Sequence, residues 1–146
     1  MTLLYSFITL FIYLPMILAD FCGENKIPYG LEVYANGRAS LQCSRPICFK
    51  KHYSDCEERA FKDSCPSKSA WVGGITSINP LLKNAFHVQC CEFEQLQNAS
   101  VPLHRNMVIS PGEYFEGEEV MDDLGLELTA FDVITDLKQI RHPNKT

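Results

Sequence analysis

Cysteines at 22, 43, 48, 56, 65, 90 and 91 crowd one stretch of a 146-residue chain. In a reducing compartment such a set would suggest metal or redox chemistry. In an oxidising one it predicts a disulfide framework. The start of the chain chooses between them. MTLLYSFITLFIYLPMILA, residues 1–19, carries no charged side chain, and the first is Asp20. An apolar core from Leu3 to Leu18, followed by the small Ala19, predicts a secretory signal peptide over 1–19, cut after Ala19. The run approaches the ~20 apolar residues of a spanning helix, but Pro15 interrupts it and no basic cluster fixes an orientation. The expected product is one secreted, cysteine-rich domain over 20–146, in the extracellular space or at the cell surface, without stable membrane insertion.

Seven cysteines cannot all pair within one chain. Three bridges and one free thiol is the simplest count, and a covalent dimer through the odd cysteine is the other. Sequence alone does not give the connectivity. Adjacent Cys90 and Cys91 limit it in one respect. Neighbours in a strand point to opposite faces, so the two are expected to bridge to different partners, or one to stay free.

The elements read as mostly extended. YGLEVYA and RASLQC flank Asn36-Gly37, which predicts a hairpin with a type I′ turn. Ala85 to Phe93 reads as a central strand, and 107–110 as another before the Pro111-Gly112 turn. Residues 113–131 read as strand fragments separated by acidic turns. Ser54 to Lys62 reads as a short helix, because Asp55, Glu57 and Glu58 suit a helix N-terminus. Residues 131–140 fit a helix or a strand. Gly73-Gly74 permits a bend or close approach. Trp71, the single tryptophan, and Phe86 are the expected core anchors. The predicted class is α+β or mainly β: a small secreted domain with a disulfide-stabilised antiparallel sheet and few short helices.

Catalytic and cofactor chemistry find little support. Histidines 52, 87, 104 and 142 are scattered, and no Gly-x-Ser-x-Gly elbow occurs. No cysteine pair has zinc-knuckle spacing, and residues 116–125 resemble a calcium loop only in charge. We therefore expect no enzyme activity, catalytic residue, metal or cofactor. A net charge of −5 argues against a nucleic-acid partner. The charge is uneven. Residues 106–137 hold nine carboxylates and no Lys or Arg, while 45–62 hold Arg45, Lys50, Lys51, Arg59 and Lys62. Asn98-Ala99-Ser100 and Asn144-Lys145-Thr146 are glycosylation acceptors by pattern.

CGENKIPYGLEV, CSRPICF, WVGGI, VQCCEF and FDVI, in that order, span nearly all of the mature chain. Together they resemble the Wart domain of the Warthog proteins, nematode Hedgehog-related secreted proteins. The resemblance implies an intercellular signal in development that binds a cell-surface receptor or matrix protein. The alternative is a structural component of extracellular matrix or cuticle. Many members carry a C-terminal Hog domain that cleaves itself at a Gly-Cys junction. No cysteine follows Cys91 here, so self-cleavage and the associated lipid attachment are expected to be absent. The resemblance carries over no zinc or calcium site.

Overall fold

A computed structural model describes residues 19–45, 54–77, 85–126 and 128–140. The strands are β1 (Ala19–Phe21), β2 (Ile27–Val33), β3 (Ala39–Ser44), β4 (Asp55–Cys56), β5 (Ala70–Ser77) and β6 (Phe86–Glu92). A single helical turn, α1 (Leu96–Ala99), then precedes β7 (Tyr114–Glu116), β8 (Glu119–Met121) and β9 (Leu128–Phe131). One sheet runs β1-β5-β6-β4, a second β3-β2-β7, and β8 pairs with β9 alone. Every pairing is antiparallel. The domain is thus mainly β, as its extended, apolar-rich segments led us to expect.

The first two sheets close on one core. Val72 and Ile75 of β5 and Val88 and Cys90 of β6 pack with Leu31 and Leu41 of β2 and β3. The opposite side of β5 and β6 presents Trp71 and Cys91, which bury Ile27, Phe93 and Leu96. Trp71 is buried, and Phe86 is half-buried at the margin of the first cluster.

Gly73 explains how both faces are served. The β5–β6 register slips between Val72 and Gly74. This bulge resets the alternation, so Val72 and Ile75, three apart, face the same core. A Cβ on Gly73 would also fall inside the contact radius of Cys91 Sγ. The Gly73→Ala variant is therefore expected to lose about 1–3 kcal/mol of stability through overpacking. Urea unfolding monitored by Trp71 fluorescence checks this. A midpoint equal to wild type would refute the crowding.

Three bridges join Cys22 to Cys43, Cys56 to Cys91 and Cys65 to Cys90. The neighbours Cys90 and Cys91 do bridge to different partners, on opposite faces of β6. Cys22–Cys43 ties the segment before β2 to the end of β3. It fastens the open end of the hairpin, where two strands alone would be marginal. Cys48 lies outside the described residues.

Several local expectations are corrected. In the hairpin loop only Gly37 has positive φ, 81°, whereas a type I′ turn needs it at both central residues. Gly37 N–H donates to Tyr34 O (2.7 Å) and Tyr34 N–H to Arg38 O (2.9 Å), giving a three-residue loop with Gly37 in the left-handed position. Asn36 Oδ1, within the loop, accepts from Arg38 N–H at 2.9 Å and helps fix the turn. No helix forms over 54–62. Asp55 and Cys56 instead pair with Glu92 and Cys91, and Lys62 bridges to Val88. Residues 107–110 make no strand.

Residues 132–137 form neither helix nor strand but a strap between the sheets. Ile134 N–H donates to Pro28 O (2.8 Å), and Ile134 O accepts from Val72 N–H (3.1 Å). Both partners flank bulges, at Pro28/Gly30 and Val72/Gly74. The bulges thus free backbone groups that the strap satisfies. Further along, Asp136 Oδ1 accepts from Cys65 N–H at 2.7 Å.

Candidate interaction surface

Among the described residues, the polar side chains that could carry chemistry do not converge. Among the described residues no group of three or more His, Cys, Asp or Glu is placed to hold a metal ion. His87 Nδ1 comes within 3.3 Å of Asp63 Oδ1, but the atoms are not aligned for a hydrogen bond. Asp63 is solvated, so the contact is well screened. His104 is exposed and sits edge-on to Phe115, with ring centroids 6.2 Å apart. His52 and His142 lie outside the described residues. Trp71 supports the core, tilted against Phe93 at 5.7 Å between centroids.

The acidic stretch divides into two populations. Glu113, Asp122, Asp132 and Asp136 accept backbone N–H groups, from Ser110 (2.7 Å), Leu126 (2.6 Å), Glu118 (3.1 Å) and Cys65 (2.7 Å) respectively. These carboxylates shape turns and close the fold. Glu116, Glu118, Glu119 and Asp123 are exposed. Glu116 ends β7, Glu118 and Glu119 open the hairpin of β8 and β9 at its base, and Asp123 lies in its loop.

That hairpin stands apart from the two sheets. Its base is fixed where Gly117 N–H donates to Tyr29 O (2.8 Å) and Asp132 N–H to Glu118 O (3.0 Å). A Cβ on Gly117 would meet Asp132 Cβ at 2.5 Å and Tyr29 O at 2.9 Å, so glycine lets the arm sit against β2. Phe131 packs on the Trp71 cluster from the same base. Beyond it, Val120 and Met121 are exposed, and Leu124 and Leu126 at the tip are 78% and 70% exposed. The acidic pattern concealed this apolar tip in the sequence. Leu124 and Leu126 alternate around Gly125, and that was the available signal.

The basic stretch forms a less continuous surface. Lys62 is paired with Glu57, Arg45 and Arg59 are exposed, and Lys50 and Lys51 lie outside the described residues. Asn98 is exposed on α1, while Asn144 lies outside the described residues. No described helix is long and apolar enough to cross a membrane. The expected signal peptide, residues 1–19, falls almost wholly outside the described residues, which begin at Ala19.

A family model described as the Warthog N-terminal signalling domain matches residues 19–146. The chain belongs to the Warthog family. It is 41% identical over 127 residues to Warthog protein 5 of Caenorhabditis elegans, covering 87% of this chain and 69% of that protein. Identity to Warthog protein 3 of the same organism is also 41%, over 122 residues, with 83% and 66% covered. Warthog protein 6 is 27% identical over 154 residues, covering 95% of this chain but 25% of that longer protein. No solved structure matches the chain. The Warthog-like fragments fall at joints of the fold: Cys22 and Cys43 share a bridge, Trp-Val-Gly-Gly-Ile holds the β5 bulge, Cys90-Cys91 splits between faces, and Phe-Asp-Val-Ile opens the strap.

Proposed function

We propose that this Warthog chain is secreted and acts as a developmental signal between cells, by binding a cell-surface receptor or matrix protein rather than by catalysis. The observation that carries the proposal is the set of three bridges, which join buried Cys22, Cys65, Cys90 and Cys91 into the core. Such a framework forms and persists in oxidising compartments, and the family's description as a signalling domain agrees with that use. A cut after Ala19 would leave Asp20 first. Its carboxylate accepts from Ser40 Oγ (2.5 Å) and Leu41 N–H (2.9 Å), so the new terminus stays anchored to β3.

Tagged full chain expressed in one nematode tissue tests the proposal. The expected product lies outside the expressing cells, begins at Asp20, and loses mass on endoglycosidase treatment, less so when Asn98→Gln is present. Expression in a distant tissue is expected to rescue a loss-of-function animal. Reduced cytosolic protein, or rescue confined to the expressing cells, would refute it. The odd number of cysteines favours one second reading, a matrix or cuticle component cross-linked through a spare thiol. Insoluble, disulfide-linked oligomers retained in matrix would select that reading.

A further inference from the structure

We infer that the β8–β9 hairpin is an acidic docking arm whose apolar tip seats in a partner protein's cleft, floored by apolar side chains and rimmed by Lys or Arg. This rests on the extracellular-ligand proposal above and names the surface it would use. Four observations converge on it.

First, the tip is apolar where solvent reaches it most. Leu124 and Leu126 are more exposed than Val120 and Met121 on the arm's shaft. Large apolar side chains gathered at a projecting tip mark an interaction site more often than a solvated loop. Second, the tip is pre-shaped. Asp122 Oδ1 accepts from Leu126 N–H (2.6 Å), Asp122 O accepts from Gly125 N–H (2.9 Å), and Gly125 takes a φ of 68°. A display fixed in advance loses less conformational freedom on binding.

Third, the arm has little of its own to hold it. It is a two-stranded sheet, marginal in water by itself, and a partner completes its burial. Fourth, the charge selects the partner. Exposed Glu118 and Glu119 lie at the arm's base and exposed Asp123 at its tip, and no Lys or Arg occurs from 106 to 137. Such an arm repels phospholipid headgroups, sulfated glycans and nucleic acid, and it repels the same arm of a second copy. A cationic rim on a protein is its complement.

The test uses full-length secreted chain and intact larval cells with their matrix as the binding surface. One variant is Leu124→Ser with Leu126→Ser, and another is Glu119→Lys with Asp123→Lys. All four positions are exposed, so both variants are expected to keep the three bridges and the wild-type unfolding midpoint. Saturable wild-type binding that weakens as salt rises, with each variant at least about tenfold weaker, is the expected result. Wild-type affinity in either variant would overturn the arm while leaving the ligand proposal standing. A wild-type chain that binds neither cells nor matrix would overturn the ligand proposal, and the arm with it. A dimer in solution that either variant dissolves would make a second copy the occupant and overturn the assignment.

Discussion

Replacing Cys65 and Cys90 together by alanine is expected to lower unfolding free energy by about 3–5 kcal/mol. The bridge spans 25 positions of sequence, and closing a loop of that size restricts the unfolded chain by ~3–4 kcal/mol. Both sulfurs are buried between the two sheets, so their removal also leaves a space in the packing. In thermal unfolding the midpoint is expected to fall by roughly 10–20 °C. A fall under about 1 kcal/mol would mean that packing alone, not the cross-link, holds this part of the fold. The single Cys65→Ala variant is expected to behave worse in a different way. It leaves the Cys90 thiol unpaired, able to exchange with the Cys56–Cys91 cysteines before β6 sets the two neighbours on opposite faces, so oxidised material becomes a mixture. Peptide mapping under non-reducing conditions distinguishes the two outcomes.

Trp71→Ala is expected to lose about 3–5 kcal/mol, and Trp71→Phe only ~1 kcal/mol. The alanine variant empties the cluster in which Trp71 packs with Ile27, Cys91, Phe93 and Leu96. Phenylalanine keeps an aromatic face against Phe93. It also removes Trp71 Nε1, a buried donor without an acceptor among the described residues. Burying such a donor unpaired costs about 1–3 kcal/mol, and its removal offsets part of the lost contact area. Denaturant titration of the three proteins measures both differences. Equal damage from both substitutions would show that the indole N–H has a partner. Phe131 leans on the same cluster, so the alanine variant is also expected to speed amide exchange at the base of the β8–β9 arm.

How much of this was readable in the chain depended on how local each determinant is. Asn36-Gly37 announced a hairpin, because the residues that set the turn adjoin in sequence. The turn type was not legible, since Asn-Gly also suits a three-residue loop in which Gly37 alone takes positive φ. Cys90-Cys91 announced two partners through strand alternation alone. Their identities came only with the fold. The acidic run at 55–58 suggested a helix start, but pairing with β6 and the Cys56–Cys91 bridge prevailed over that local preference. The strap escaped detection for the same reason: its hydrogen bonds go to bulges about a hundred residues earlier in the chain or on another strand. Of the candidate surface, the charge was plain and the geometry was not. Nothing local separates carboxylates such as Asp122 and Asp132, which bind backbone, from Glu119 and Asp123, which face solvent.

The strap also sets an order of events during synthesis. Pro28 is made early, and its carbonyl waits for Ile134 N–H until more than a hundred further residues have been made. Contacts so remote in sequence form slowly. Until they do, two sheets lie open along a shared seam, and oxidation must proceed on an unclosed molecule. On the secretory route proposed above, a disulfide isomerase would find its longest opportunity at that seam.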